Sequence, residues 1–163
     1  VTNKEVYKFT VAADEAGDIE WERLTFDVSE TAGMTSANYY LYVEGESSAI
    51  NSATTVASSE VMIDPSSIQS IPRGQSTTYV LKADITINSS AQSQTLSVEL
   101  TAQDDTALVS GDSVGDLYAA SDFLWSDRAA QSHTTSTDDW TDGYEVDSFD
   151  VETVNVGYQG TGS

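Results

Sequence analysis

Apolar side chains recur at every second position through most of this chain, and no other feature constrains its fold as tightly. A period of two puts residues i, i+2 and i+4 on one face of an extended strand, whereas a helix needs a period near 3.6. In "EVYKFTVAA", Tyr7, Phe9 and Val11 form one face against Lys8 and Thr10. "IEWERLTFDVS" opens with Ile19 and Trp21 in one parity and continues with Leu24, Phe26 and Val28 in the other. That switch predicts a β-bulge near Glu22 and Arg23, which re-aims the second half of the strand without ending it. Tyr39, Leu41 and Val43 alternate against Tyr40 and Tyr42. Tyr79, Leu81, Ala83 and Ile85 form a further face, and so do Leu96, Val98 and Leu100. These last two segments are consecutive and are expected to pair as a hairpin.

Turn chemistry punctuates the pattern at "DEAGD" and at Pro65, Pro72 and Gly74. Toward the C-terminus "LYAASDFLW", "GYEV" and "FDVETVNVGY" read as three short strands, and "DDTALVSGDSVGD" as a loop. The Ser-, Thr- and Ala-rich stretch "GESSAINSATTVASSE" carries no clear period. No segment shows a 3.6-residue apolar stripe, and Val, Thr and Ser stand where a helical chain carries Leu, Ala and Lys. The expectation is an all-β protein, an antiparallel immunoglobulin-like β-sandwich of about eight strands, with a closed barrel as the second choice. The 163 residues suit one domain, with 158–163 a flexible tail or assembly segment.

Charge narrows the partners. Asp and Glu number 27 against six Lys and Arg, a formal net charge of −21. Nucleic acid and anionic membrane surfaces are repelled by such a chain. Self-repulsion of this size is relieved by salt or bound cations, so saline or Ca²⁺-rich extracellular surroundings fit it. Cysteine is absent, which removes disulfides and thiolate chemistry. The residues contain no signal-like region and no apolar run of about 18 residues. Starting at Val1, the chain reads as a mature secreted protein or an excised domain, with no direct membrane insertion.

The order "VYKFTVAADEAGDIEWERLTFDVS", "IPRGQSTTYVLKADI" and "FLWSDRAAQSH" followed by "DDWTDGYEV" resembles β-sandwich domains found in large surface proteins of candidate-phyla bacteria of the Patescibacteria type. The likeness spans residues 6–146, and the Trp-Ser-Asp and Asp-Trp-Thr elements are its most specific part. It implies an extracellular structural role without a catalytic assignment. The strong acidity and the segment after Val146 depart from that pattern.

Catalysis has little to stand on. The single histidine, His133, lies in the polar run "AAQSHTTS" and reads as a surface residue; neither G-x-S-x-G nor a phosphate-cradling glycine loop accompanies it. A non-enzyme is expected. For metal, Asp138, Asp139 and Asp142, with Asp147 beyond, are hard oxygen donors close in sequence, and calcium is the ion they suit. The spacing is no EF-hand, because Trp140 falls on a ligand place and Phe149 on the last one. A second acidic loop carries Asp104, Asp105, Asp112 and Asp116. Solvated turn-capping is the commoner role for such aspartates. Trp125 and Trp140 offer a carbohydrate-stacking platform, against the alternative that both anchor the loop between them. Lys8 and Lys82 have the parity opposite to their apolar neighbours, which argues against an isopeptide cross-link, and Asn88 begins an N-x-S sequon.

The final segment supplies an assembly strand. Phe149 and Val151 share one parity and Val154, Val156 and Tyr158 the other, so an irregularity is expected near Thr153. Such a strand closes its own sandwich in cis or completes a neighbour's sheet in trans, with cis favoured by the short preceding turn. Homopolymeric self-assembly, or packing against neighbouring surface domains, is the partnership this implies.

Overall fold

The alternating residues set which face of each long strand turns inward. The computed structural model describes residues 1–87, 94–101, 106–107, 122–146 and 149–156. Among them run β1 (Lys4–Ala12), β2 (Ile19–Glu30), β3 (Met34–Val43), β4 (Glu60–Ile63), β5 (Gln69–Ile71) and β6 (Ser76–Ile87). They are followed by β7 (Gln94–Thr101), β8 (Thr106–Ala107), β9 (Phe123–Ser126), β10 (Trp140–Asp142) and β11 (Val151–Val156). The fold is all-β, in two antiparallel sheets. Among the described residues eleven strands stand against the expected eight or so, because β4, β5, β8 and β10 are too short to show a period.

The first sheet has the order β1-β6-β3. The second is organised by β2, whose two edges are each shared between two partners. Leu24 pairs with both Ile63 and Phe123, and Thr25 with both Met62 and Thr101, so β4 lies on one edge and β9 and β7 on the other. β5 continues the β4 edge, pairing with Ile19 to Trp21. β11 lies beyond β7, while β10 and then β8 lie beyond β9.

The bulge forms where the parity switch placed it, with a register shift between Trp21 and Arg23. Without the extra residue, a β2 that buried Trp21 would turn Leu24, Phe26 and Val28 to solvent. With it, all four are buried. The bulge also draws Arg23 inward, where its guanidinium meets Asp64 bidentately at 2.6 and 2.9 Å.

The core lies between the sheets. Phe9 stacks on Tyr79 at 5.4 Å between ring centroids, and Tyr7 meets Phe26 edge-on at 5.6 Å. Trp21 stands edge-on to Tyr79 at 5.3 Å, and its indole N–H donates to the Tyr79 hydroxyl at 3.3 Å. The Phe9–Tyr79 stack lies within the first sheet, whereas Tyr7–Phe26 and Trp21–Tyr79 cross from one sheet to the other.

Three expectations need correction. β6 and β7 are not a hairpin: β6 is the centre of the first sheet, between β1 and β3, and β7 lies between β2 and β11 in the second. Alternation tells which residues face the core, and strands of opposite sheets share that property. "GYEV" is a turn, with Gly143 at φ +64° and Glu145 at φ +56°, and the ladder runs instead through Trp140 to Asp142. Finally, β11 pairs with β7 without a register shift, from Val151↔Glu99 to Val156↔Gln94. The parity change falls before the strand: Phe149 stacks on Phe123 at 6.0 Å, while Val151 is 54% exposed. In this chain, then, the C-terminal strand pairs in cis. Tyr158 lies outside the described residues, as do Asn88, Asp147 and the aspartates of the second acidic loop.

The stretch without a period does have a role. Asn51 is buried; its side-chain carbonyl accepts from the Leu41 N–H at 2.7 Å and its amide donates to Tyr39 O at 3.2 Å. Together with bridges from Thr54 to Tyr39 and Ala49 to Tyr42, it covers the outer edge of β3.

Candidate functional site

β9 and β10 form an antiparallel pair, with Thr141 opposite Trp125, and residues 127–139 connect them as a long loop beside the start of β2. A polar loop of that length needs partners for its backbone groups. Asp127 accepts from Ala129 N at 2.9 Å, and Ser126 Oγ accepts from Arg128 N at 2.9 Å. At the far end Asp142 is buried, and one carboxylate oxygen accepts from both Asp122 N and Phe123 N at 3.0 Å.

The loop is organised by Asp139. One carboxylate oxygen meets His133 Nδ1 at 2.7 Å and accepts from Ala130 N at 3.1 Å; the other accepts from Thr137 Oγ1 at 2.5 Å. Burial pushes the Asp139 carboxyl upward, but hydrogen bonds from Thr137, Ala130 N–H and His133 outweigh it and hold the group below its usual range. The other ring nitrogen of His133, Nε2, meets Glu20 of β2 at 2.9 Å, and Arg128 approaches Glu20 at 3.4 Å and Asp18 at 3.3 Å. An imidazolium donates to both carboxylates at once, whereas a neutral ring donates to one. The His133 side chain is only 8% exposed and lies against Trp140, with centroids 5.5 Å apart. The expected surface histidine is therefore a buried link between the loop and β2.

This arrangement separates the residues expected to act together. Asp139 is engaged by His133, Asp142 caps the start of β9, and Asp138 is exposed, so the three do not converge as calcium ligands. Among the described residues, no group of three or more His, Asp or Glu is placed to hold a metal ion. The tryptophans part as well. Trp140 is fully buried, with its indole N–H donating to Thr134 O at 3.0 Å, and cannot offer a face to a ligand. Trp125 is only partly buried, and its N–H donates to Tyr144 O at 3.1 Å.

Glu20 and Arg128 carry no signal in the sequence that marks them as site residues. Glu20 and His133 are 113 residues apart, and nothing local in either segment signals the contact.

No protein-family model matches this chain, and neither does any curated protein. Among solved structures it is similar to a collagen-binding domain from a Staphylococcus aureus adhesin, at 9% identity and a TM-score of 0.33, covering 97% of this chain and 100% of that one. A likeness at that level carries nothing about kinship or binding, and it does not bear on the resemblance to candidate-phyla surface domains.

Proposed function

We propose that this chain is a non-catalytic structural module of an extracellular, cell-surface assembly, joined to copies of itself or to neighbouring surface domains. The observation that carries this reading is the open side of β11. Its inner edge is paired with β7, and among the described residues no strand pairs its outer edge. An unpaired strand edge is a ready template for another chain. Asp150 and Glu152 guard it with negative charge, so pairing there requires screening by salt or cations, in keeping with the net charge of −21. Since β11 already completes its own sheet, assembly proceeds by edge contact between closed sandwiches in preference to strand exchange. The role of His133 supports the non-catalytic part, because both ring nitrogens meet carboxylates that tie down a loop. The same acidity disfavours nucleic acid and anionic lipid as partners.

Light scattering and electron microscopy in low salt, molar NaCl and millimolar Ca²⁺ test the reading. Ordered oligomers are expected under the screened conditions and are expected to be lost in Val151→Glu, which adds charge beside the open edge. A wild-type protein that stays monomeric under all three conditions dismisses it.

A further inference from the structure

Trp125 packs against the core but differs from the other two tryptophans in its exposure. Trp21 and Trp140 are sealed in the interior at 2% and 0% exposure, whereas Trp125 is partly open on β9. Beside it stands Tyr144, which is 39% exposed and, among the described residues, one of four large hydrophobics exposed at the surface. The hydrogen bond from the Trp125 N–H to Tyr144 O sets the two residues relative to each other, and Gly143 at φ +64° makes the turn that brings Tyr144 there. Trp125 lines three open hollows, of about 990, about 400 and about 270 Å³, and shares the rim common to the two larger ones with Asp127, Ala129 and Ala130. The two alanines leave the indole approachable, and Asp127 adds an exposed carboxylate beside it.

We infer that Trp125 and Tyr144 form a binding subsite for an uncharged hexopyranose chain. Aromatic rings with one apolar surface and a wet edge are suited to the C–H faces of a pyranose, and the exposed carboxylates around the hollow of about 400 Å³, Asp127 and Asp138, are acceptors for its hydroxyls. The hollow falls within the size range of small-molecule sites. Fixing the indole before the ligand arrives lowers the ordering cost of binding. The surrounding negative charge selects against uronic acids and sulfated sugars. This inference does not depend on the assembly proposed above, and a module of either kind can carry it.

The experiment follows the three indole N–H resonances of the intact protein, with Trp125 assigned by its absence in Trp125→Phe. Cellohexaose, chitohexaose, maltohexaose and mannohexaose are each added at millimolar concentration, with an alginate hexasaccharide as the anionic comparison. At least one neutral hexasaccharide is expected to shift the Trp125 signal and to protect its fluorescence from acrylamide, while those of Trp21 and Trp140 stay put and alginate has no effect. Trp125→Ala is expected to weaken that binding about tenfold or more, and Tyr144→Ala less, in line with the loss of one aromatic contact. If none of the four moves the Trp125 resonance of the wild-type protein, or if binding is unchanged in Trp125→Ala, the inference is overturned. The wild-type measurement stands even where the alanine variant fails to fold.

Discussion

The interior between the sheets and the loop 127–139 both bury side chains, yet different physics holds them in place. Between the sheets, Leu24, Phe26, Leu41, Leu81, Leu96 and Val98 are all fully buried, and only contact area and shape matter to them. In the loop the buried groups are His133, Asp139 and the Trp140 indole N–H, each bonded to a particular partner. Area is non-directional, so a core with many contributors degrades gradually. A hydrogen-bonded hub depends on every member, because a lost partner leaves a buried polar group unsatisfied. The comparison predicts that damage to the core lowers the stability of the whole domain, while damage to the hub frees the loop and leaves the sheets in place.

The largest test is Phe26→Ala. Phe26 is fully buried and touches the Tyr7 and Phe9 rings, so its truncation is expected to cost about 3–5 kcal/mol. Circular dichroism and tryptophan fluorescence should lose signal together in denaturant melts. Non-coincident transitions would break the view that one core holds both sheets.

Next comes His133→Ala, which leaves Glu20 and Asp139 without the ring between them and is expected to cost about 2–3 kcal/mol. Hydrogen exchange sharpens the comparison. The Ala130 amide, which donates to Asp139, should exchange faster, while the amides of β7 keep their protection. Equal acceleration in both places would show that hub and core are one cooperative unit.

The two regions should also fail at opposite ends of the pH scale. Burial pushes the Tyr39 hydroxyl up to about 12, helped by nearby Glu30 and opposed by its hydrogen bond with Ser36. The folded state therefore favours the protonated phenol. Its contribution is complete below the ordinary value of 10.0 and is lost as pH rises through about 12. Tyr39→Phe should flatten that alkaline decline in urea melts.

The smallest effect belongs to Asp139, whose carboxyl is lowered in the folded state. Its contribution is complete above the ordinary 3.8 and disappears as pH falls through the lower folded value. Urea melts of wild type and Asp139→Asn through that window should converge as the pH drops. Curves that stay parallel would mean that Asp139 adds nothing specific to the ionised state.

Much of the sheet structure was legible because period two is a local property. Leu24, Phe26 and Val28 declared their common face, and the parity break at Glu22 and Arg23 marked the bulge, since a strand cannot change its buried face without one. The short strands β4, β5, β8 and β10 were not legible, because three or four residues hold too little alternation to identify. The closing loop was legible as a loop, but the grouping of its residues was not. Aspartates adjacent in sequence looked like one cation site, while the fold sends Asp139 to His133 and Asp142 to the start of β9.

What the sequence determined by itself is therefore the fold class, the inward faces of the long strands and the strongly anionic surface, all of which follow from residue type and spacing. Tertiary structure alone decided which strands are neighbours, placing β6 and β7 in different sheets, because inward alternation is the same for partners and for strands facing one another across the core. It alone also decided that His133 meets Glu20, that Trp140 is sealed and that Trp125 stays open. Each of those outcomes depends on packing segments far apart in the chain, and no local pattern records which distant side chain a loop will meet.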